Sequence, residues 1–307
     1  MFGKFAGVLG SLVLLLTSGL TMASDCERGR LTLQVLGSGG PELDDGRVST
    51  SYLLWLDDKA RALIDLGPGS SVNFGQSGAR LEDISVVMLT HLHVDHSADL
   101  PAFVKGSFFT QRDKDLTLLG PEGNELMPSM EAFVSRLFGN EGAFSYLSSY
   151  VDADKESAFK LRTKSVGLDL KEVTYYPIGR DMILSAIPVH HGPIASVAWR
   201  VDVAGCALTF SGDMNNQYET LEKLALNSDI LVMHNAVPET AKGAAAHLHM
   251  TPSQIGQIAE KAQVKQLIIS HRMKRTIGKE ALTEKQIRQT YQGPISFAEG
   301  LDRFKPL

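Results

Sequence analysis

Side chains that bind metal ions are concentrated in one short stretch of this chain. His91, His93, Asp95 and His96 lie within six residues and follow an apolar run at 86–89. In an extended loop His91 and His93 share one face because successive side chains alternate, and Asp95 and His96 then turn toward a second position. One ion cannot easily take all four side chains, so the spacing predicts two adjacent ions. Imidazole and carboxylate suit Zn²⁺, with Mn²⁺ or Fe as alternatives.

The other histidines are clustered as well. None of the nine precedes residue 91, and the remaining ones form a pair at 190–191, a pair at 247 and 249, and single residues at 234 and 271. Histidine is a common metal ligand and titrates near neutral pH. This distribution therefore indicates metal or acid–base chemistry.

Composition indicates a globular protein, and short runs of apolar residues predict the strands and helices that position these side chains. The chain has 307 residues, 43% of them hydrophobic and 21% charged, which is typical of a globular protein. Strand-like runs lie at 31–36, 51–56, 61–65, 84–89, 171–177, 182–189, 195–203, 207–211, 230–233 and 266–270. Helix-like runs lie at 98–109, 124–138, 218–226, 251–262 and 283–291. We expect one α/β domain, residues 24–307, with layers of sheet covered by helices.

The sequence THLHVDH at 90–96 resembles the signature of the metallo-β-lactamase superfamily. Three later segments are similar to other parts of that signature: IPVHHG at 187–192, TFSGD at 209–213 and LIISH at 267–271. The resemblance covers nearly the whole chain after residue 24. It implies a four-layer αββα sandwich with a dinuclear metal site at the sheet edges.

The resemblance also implies a ligand set for two divalent ions. The first ion would be held by His91, His93, His191 and Asp213. The second would be held by Asp95, His96, Asp213 and His271. His190 is the alternative to His191. We favour His191 because the family places the ligand just before a Gly-Pro-like step. Asp65 resembles the aspartate that orients a metal-binding histidine.

A pair of close cations predicts a hydrolase. Two cations lower the pKa of a water held between them, which gives hydroxide at neutral pH, and they stabilise charge on a phosphoryl, sulfuryl or acyl oxygen. Asp95 can accept a proton from that water. The same arrangement also permits a non-catalytic exported metal-binding protein, which we keep as an alternative.

Local features favour one branch of the superfamily. Asp213 stands where penicillin-hydrolysing members use cysteine. The segment AHLHMT at 246–251 resembles the His-Ser/Thr segment of the RNase Z and arylsulfatase-like branch, in which a histidine protonates the leaving oxygen. By that match His249 is the candidate general acid. The alternative is that Thr251 caps a helix that begins at Pro252 and the histidines only flank this cap.

A third segment departs from the RNase Z pattern. MHNA at 233–236 stands where RNase Z has His-Glu-Ala-Thr, so Asn235 replaces the glutamate that would orient the acid. A neutral amide cannot raise the pKa of a histidine as a carboxylate can. We expect His190, His234 and His247 to support the site rather than to react. Arg272 would contact an anionic substrate or form a surface salt bridge.

Charge and spacing argue against a nucleic acid polymer as the partner. The formal net charge is −5, from 30 basic and 35 acidic residues, whereas phosphate binding favours basic surface. Only 22 residues separate His191 from Asp213, so the long tRNA-gripping arm of RNase Z has no counterpart. We expect a small phosphodiester or sulfate ester as substrate. A lactonase or thiolesterase, and an RNase Z-type 3′-tRNA endonuclease by ancestry, are the alternatives.

The N-terminus predicts export. Residues 1–23 contain Lys4, an apolar stretch at 5–20 and small residues near a cleavage point, which is the layout of a signal peptide. An uncleaved anchor is the alternative, although the stretch is short for a span. We expect a periplasmic or secreted protein without a stable membrane span after signal removal, and consider a homodimer. Cys26 and Cys206 would form a disulfide or remain as two free thiols.

Residues 101–180 are the most aromatic part of the chain. This segment is expected to be a helical subdomain core or a lid whose rings contact the substrate. Its aromatic residues are Phe103, Phe108, Phe109, Phe133, Phe138, Phe144 and Tyr146.

Overall fold

The computed structural model describes residues 1, 3, 26–169 and 172–307. The predicted signal segment, residues 1–23, lies outside the described residues apart from Met1 and Gly3. Among the described residues, none of the helices combines the length and the apolar character needed to span a bilayer.

The first sheet has seven strands. They are β1 (Leu31–Gly37), β2 (Ser51–Leu56), β3 (Lys59–Ile64), β4 (Val86–Met88), β5 (Leu116–Pro121), β6 (Leu161–Val166) and β14 (Arg303–Phe304). Their order is β14-β1-β2-β3-β4-β5-β6. The hairpin strands β1 to β3 pair antiparallel, while β3 to β6 run parallel. Parallel pairing brings the carboxyl ends of β3 and β4 to one edge of the sheet.

The second sheet also has seven strands. They are β7 (Thr174–Ile178), β8 (Met182–His191), β9 (Ile194–Val203), β10 (Cys206–Phe210), β11 (Ile230–His234), β12 (Leu267–Ser270) and β13 (Ile295–Phe297). Their order is β13-β12-β11-β10-β9-β8-β7. β10 to β13 are parallel, so their carboxyl ends also meet at one edge.

In the part of the chain that the structure describes, eight α-helices pack on the outer faces or join the strands. They are α1 (Ser70–Ser77), α2 (Val94–Ser97), α3 (Leu100–Ser107), α4 (Met130–Phe138), α5 (Leu221–Leu224), α6 (Ala244–Leu248), α7 (Pro252–Lys261) and α8 (Glu280–Ile287). Two 3₁₀ turns, Leu81–Asp83 and Ser145–Tyr150, complete the described elements.

Three buried apolar layers hold the sandwich together. The central layer lies between the sheets and includes Leu33, Trp199 and Phe210. A second layer joins the outer face of the first sheet to α1, α3 and α4, and a third joins the second sheet to α5, α7 and α8. Strands buried on both faces read as continuous apolar runs, as the sequence ILVM at 230–233 does. The αββα architecture is therefore confirmed.

Residues 101–180 were expected to form a helical subdomain core or a lid, and they contribute both helices and strands to this sandwich. The segment contributes β5 and β6 to the first sheet and β7 to the second. Phe103 and Phe138 are buried in the layer beneath α3 and α4. In contrast, Phe108, Phe109 and Tyr146 are exposed. The strands of this segment are thus parts of the two sheets, and its buried aromatic residues are core residues.

A disulfide ties the start of the described chain to the second sheet. Cys26 and Cys206 are bonded, with their Cα atoms 4.3 Å apart. The backbone N–H of Glu27 donates to Ala204 O at 2.9 Å. Of the two alternatives, the structure therefore has the disulfide, at the amino end of β10.

Candidate metal centre

Histidine and aspartate side chains converge at the edge where the carboxyl ends of the strands meet. Asp65 follows β3, the segment from His91 to His96 follows β4, Asp213 follows β10, and His271 follows β12. His191 is the last residue of β8. The two sheets thus each supply part of one cluster, as the spacing of the predicted ligands required.

The first group consists of His91, His93 and His191, whose candidate ligand atoms lie within 4.8 Å of one another. Nδ1 of His91 lies 3.1 Å from Thr90 Oγ1. Nδ1 of His191 lies 2.9 Å from Leu248 O. Each hydrogen bond fixes the ring and leaves Nε2 free. Nε2 of His91 and Nε2 of His191 are buried and have no hydrogen-bond partner within the described chain.

The second group consists of Asp95, His96, Asp213 and His271. Nε2 of His271 lies 3.2 Å from Asp95 Oδ2 and 3.3 Å from Asp213 Oδ1. Nε2 of His96 lies 3.5 Å from Asp95 Oδ2 and 3.7 Å from Asp213 Oδ2. Nδ1 of His96 is held at 2.8 Å by Asp65 Oδ2. Here too the ring nitrogen that faces the cluster is Nε2.

Asp213 is shared by the two groups. Its Oδ2 lies 3.8 Å from His191 Nε2 in the first group, and both oxygens face the second group. The preceding Gly212 has a φ of +60°, and a Cβ there would lie 2.8 Å from the Cβ of Thr90. Glycine is therefore required for the turn that brings the carboxylate between the groups.

Asp65 and Thr90 form hydrogen bonds with histidines of both groups. Thr90 donates its backbone N–H to Asp65 Oδ1 at 2.7 Å and its hydroxyl to Asp65 Oδ2 at 2.9 Å. The orienting role that the resemblance implies for Asp65 thus has a geometric basis in its contact with His96. Thr90 was not singled out from the sequence, although it lies next to His91.

His234 and Tyr52 hold Asp213. Nδ1 of His234 lies 2.7 Å from Asp213 Oδ1, and its Nε2 lies 3.0 Å from the hydroxyl of Tyr52. Both ring nitrogens are therefore occupied, so His234 orients the shared carboxylate and is not itself a metal ligand. Tyr52 was missed because it lies in an apolar strand that reads as core.

The electrostatics of the cluster suit cations. Burial lowers the pKa of His91 well below its usual value. Burial alone would raise the pKa of Asp95, but His96 and His271 lower it to about 2. Burial would also raise the pKa of Asp213, yet His271 and His249 hold it well below its usual range. Two carboxylates therefore stay ionised at neutral pH beside buried imidazoles.

His96 differs from His91 in its surroundings. Burial would lower the pKa of His96, but Asp65, Asp95 and Asp213 together raise it well above its usual value. A divalent ion would replace that proton, because a ligating imidazole must be neutral.

The residues present fit two divalent ions. Unpartnered Nε2 atoms, a shared carboxylate and imidazoles fixed through Nδ1 are the features of a metal site with nitrogen and oxygen ligands. The cluster can therefore hold metal, and this donor set suits Zn²⁺, Mn²⁺ or Fe.

His249 lies beside the cluster, between α6 and α7. Its Nδ1 is 3.9 Å from Asp213 Oδ2 and has no hydrogen-bond partner within the described chain. Burial lowers the pKa of His249 to about 3. Thr251 and Gln254 form a capping box at the start of α7, with Pro252 in its first turn. The cap and the placement of His249 at the site are therefore both present.

Three other predicted site residues lie outside the cluster. Nδ1 of His190 contacts Asn215 Oδ1 at 3.0 Å, and its ring packs on Tyr218. The side chain of His247 is exposed. Asn235 is buried, but its amide donates to Val237 O at 3.0 Å. The contacts of His190 and His247 do not provide the support for the site that was expected of them, and Asn235 contacts the backbone rather than His249.

The structure decides between the two alternatives for Arg272. Its side chain is only 2% exposed, and it pairs with Glu280 and Glu299. It also donates to Ala298 O at 3.1 Å. The alternative of a substrate contact is therefore wrong, whereas the salt-bridge alternative holds: the guanidinium is buried and its two carboxylate partners reach the surface.

A four-layer αββα sandwich with this histidine and aspartate cluster at its strand ends defines the metallo-β-lactamase-fold hydrolases. The Beta-lactamase superfamily domain model matches residues 60–272. The chain therefore belongs to the beta-lactamase superfamily.

Known relatives agree with this assignment. A Ribonuclease Z of Enterococcus faecalis is 26% identical over 288 residues, covering 82% of this chain and 90% of that protein. The short form of human tRNase Z superposes with a TM-score of 0.68 at 19% identity, covering 90% of this chain and 99% of that one. A diphosphatase of the PhnP family gives a TM-score of 0.57 at 18% identity, with coverages of 90% and 97%. The chain is thus similar to RNase Z in sequence and to these proteins in fold.

Proposed function

We propose that this protein is a two-metal hydrolase of small phosphodiesters or sulfate esters. The observation that carries the proposal is the shared position of Asp213 between two groups of ligand atoms. His91, His93 and His191 would hold one ion, and Asp95, His96 and His271 the other. When bound, two such ions lower the pKa of water and stabilise the negative charge that develops on the ester.

The side chains of the protein supply orientation around this centre. Asp95 has a pKa of about 2 and is a carboxylate at neutral pH, so its oxygens can accept the proton of an attacking water. Asp65 and Thr90 fix the rings of His96 and His91. The reacting groups are therefore preorganised before substrate arrives, which avoids a cost of reorganisation during the reaction.

His249 is the group beside which the leaving oxygen would lie. At neutral pH its buried imidazole is uncharged, because its pKa is about 3. A neutral imidazole still carries one N–H, which can be donated to the leaving oxygen. Since Asn235 makes its contacts elsewhere, no carboxylate from that segment assists His249, and the residue acts as a hydrogen-bond donor more readily than as a full acid.

Size and charge support a small substrate. Only Gly192 and Pro193 separate β8 from β9, and β9 and β10 fill the chain between His191 and Asp213. The net charge of −5 does not favour a polyanion. The second candidate, tRNA 3′ processing, is favoured by the similarity to proteins named Ribonuclease Z.

A substrate panel on the zinc-loaded protein tests the proposal. We expect hydrolysis of bis-p-nitrophenyl phosphate or p-nitrophenyl sulfate to exceed that of a homoserine lactone and a thioester by at least about tenfold in kcat/KM. A preference for the lactone or thioester would overturn the proposal, and absence of all turnover would favour a metal-binding protein. Cleavage of a precursor tRNA at its 3′ end with higher kcat/KM than either small ester would favour the second candidate.

We propose further that the protein is exported. The signal-like segment at 1–23 and the disulfide between Cys26 and Cys206 support this, because structural disulfides persist in oxidising compartments. Cell fractionation tests it. The full chain should be found in the periplasm or medium with a new N-terminus near residue 24, and retention of intact Met1 in the cytosol would contradict export.

A further inference from the structure

Arg275 is a half-buried cation without a negatively charged partner. It lies in the turn between β12 and α8. Its Nε donates to Ala236 O, and its Nη2 lies 3.2 Å from the sulfur of Met273. Nη1 has no hydrogen-bond partner within the described chain. Its charge therefore has only neutral partners, and its unpartnered N–H groups can donate to an anion.

The position of Arg275 is next to the metal centre. Ala236 lies just beyond the carboxyl end of β11, two residues after His234. Met273 is two residues beyond His271, and a Cβ built on Gly40 would lie 3.0 Å from His271 Cε1 and 3.2 Å from Met273 Cγ. Both contacts of Arg275 are therefore with residues at the edge that carries the metal ligands.

Electrostatics agree with this placement. Burial is the main cause of the low pKa of His249, and the positive charge of Arg275 is one of those that lower it further. The guanidinium is therefore close enough to His249 for its charge to act on that ring.

Three nearby cations, Arg47, Arg272 and Lys274, differ from Arg275 in that each has a carboxylate partner. Arg47 and Arg272 both pair with Glu299. Lys274 pairs with Asp44 at 2.6 Å. Among the described residues, no carboxylate lies within salt-bridge distance of Arg275. Its charge is thus left available, although its immediate chain neighbour is neutralised.

We propose that Arg275 binds a non-bridging oxygen of an anionic ester, and so selects phosphodiesters or sulfate esters over neutral lactones and thioesters. The inference rests on the proposed function, because it names a substrate contact of the same site. A guanidinium presents a planar set of N–H donors that matches phosphate and sulfate oxygens. The bound anion would supply the missing counter-charge.

Inorganic phosphate and two substrates test the inference in the zinc-loaded full chain. The variants are Arg275→Gln, Arg275→Lys and the matched control Lys274→Gln, each checked for zinc content. We expect Arg275→Gln to weaken phosphate binding by about tenfold in calorimetry, with partial recovery in Arg275→Lys. The loss in kcat/KM should be at least about tenfold greater for bis-p-nitrophenyl phosphate than for p-nitrophenyl acetate. Lys274→Gln should behave as the unmodified protein.

The two proposals fail in different ways. Unchanged phosphate affinity in Arg275→Gln, or equal losses in kcat/KM on the charged and neutral esters, overturns the role of Arg275. The proposed function still stands in that case if the wild-type protein hydrolyses the diester. If the wild-type protein binds phosphate through Arg275 but hydrolyses no anionic ester, the proposed function fails and the anion site stands.

Discussion

Each buried imidazole of the metal centre uses its two ring nitrogens differently. In His91, His96 and His191, Nδ1 is held by a protein oxygen and Nε2 faces the cluster. In His234 both nitrogens are engaged, one by Asp213 and the other by Tyr52. Hydrogen bonding therefore distinguishes these three candidate ligands from His234, which residue type alone cannot do. His271 differs from them, because its Nδ1 has no partner within the described chain.

The contact between Tyr52 and His234 gives a first prediction. Tyr52→Phe leaves Nε2 of His234 buried without a partner, so we expect the free energy of unfolding to fall by about 1 to 3 kcal/mol. Zinc affinity should fall by about tenfold, because Asp213 is held less firmly. Chemical denaturation and competition with a chelator measure the two effects.

Tyr291→Phe is the control for this variant. The Tyr291 hydroxyl donates to Val264 O at 3.2 Å, in the layer beneath α7 and α8. The control should lose stability but keep its zinc affinity. Unaltered zinc affinity in Tyr52→Phe would show that the Tyr52 contact does not support the metal centre.

A second prediction concerns His249. Without its N–H the leaving oxygen loses a donor, so His249→Ala should lower kcat by about 100-fold on a diester with an alkoxide leaving group. The loss should be much smaller on bis-p-nitrophenyl phosphate, whose leaving group needs little help. His247→Ala, two residues away with an exposed side chain, is the control. Equal losses on both diesters would refute a leaving-group role.

At the scale of elements, tight turns at the strand ends set the positions of the ligands. Gly67 follows β3 and packs against the turn that carries Asp95. A Cβ at Gly67 would lie 2.2 Å from Asp95 O and 2.7 Å from Ser49 Cβ. These separations are far below van der Waals contact, so any side chain at Gly67 must displace the Asp95 turn or the segment at Ser49 that precedes β2.

Substitution of this glycine gives a third prediction. Gly67→Ala should lower the free energy of unfolding by about 1 to 3 kcal/mol and reduce bound zinc from two ions per chain toward one. Gly75→Ala in α1 is the control, since a Cβ there meets nothing within 4 Å; it should stabilise the protein by up to about 1 kcal/mol. Two tightly bound zinc ions in Gly67→Ala would show that the position of the Asp95 turn does not depend on glycine at 67.

The sequence predicted the elements that carry strong local signals. The strands that precede His91, Asp213 and His271 were predictable because an apolar run lies just before each functional residue. The start of α4 was not predictable. The Ser129 side chain accepts a hydrogen bond from Ala132 N and caps the helix there, which leaves 124–129 outside the helix. Strands β13 and β14 have only three and two residues, which is too short for a periodic pattern.

Contacts between distant segments explain why some features of the site could not be predicted from the sequence. Tyr52 meets His234 across 182 residues of chain, and no local pattern marks such a pair. The two alternatives for Arg272, a substrate contact and a salt bridge, could not be separated from the sequence because its partners, Glu280 and Glu299, are brought to it only by the fold. Thr90 could have been found, since it adjoins His91 in the recognised segment.

At the scale of the whole molecule, the metal centre exists only when the two sheets pack together. The segment from His91 to His96 comes from the first sheet, whereas His191, Asp213 and His271 come from the second. Binding of metal is therefore coupled to folding of the sandwich. The disulfide lies at the amino end of β10, at the opposite end of that strand from Asp213.

The distance of the disulfide from the metal centre gives a fourth prediction. Replacement of both cysteines, Cys26→Ser with Cys206→Ser, should lower the free energy of unfolding by about 2 to 4 kcal/mol, because the bond closes a long loop. Zinc content of the folded protein should remain two per chain. Calorimetry and elemental analysis measure these quantities, and loss of zinc from the folded variant would contradict the independence of the two features.

Zinc titration of the metal-free protein, with the rate of bis-p-nitrophenyl phosphate hydrolysis read at each addition, tests the central claim most directly. Because Asp213 is shared by both groups of ligands, we predict that the rate rises until two equivalents of zinc per chain are bound and then stays constant. A rate that reaches its maximum at one equivalent, or no zinc-dependent hydrolysis at any ratio, would contradict a two-metal hydrolase.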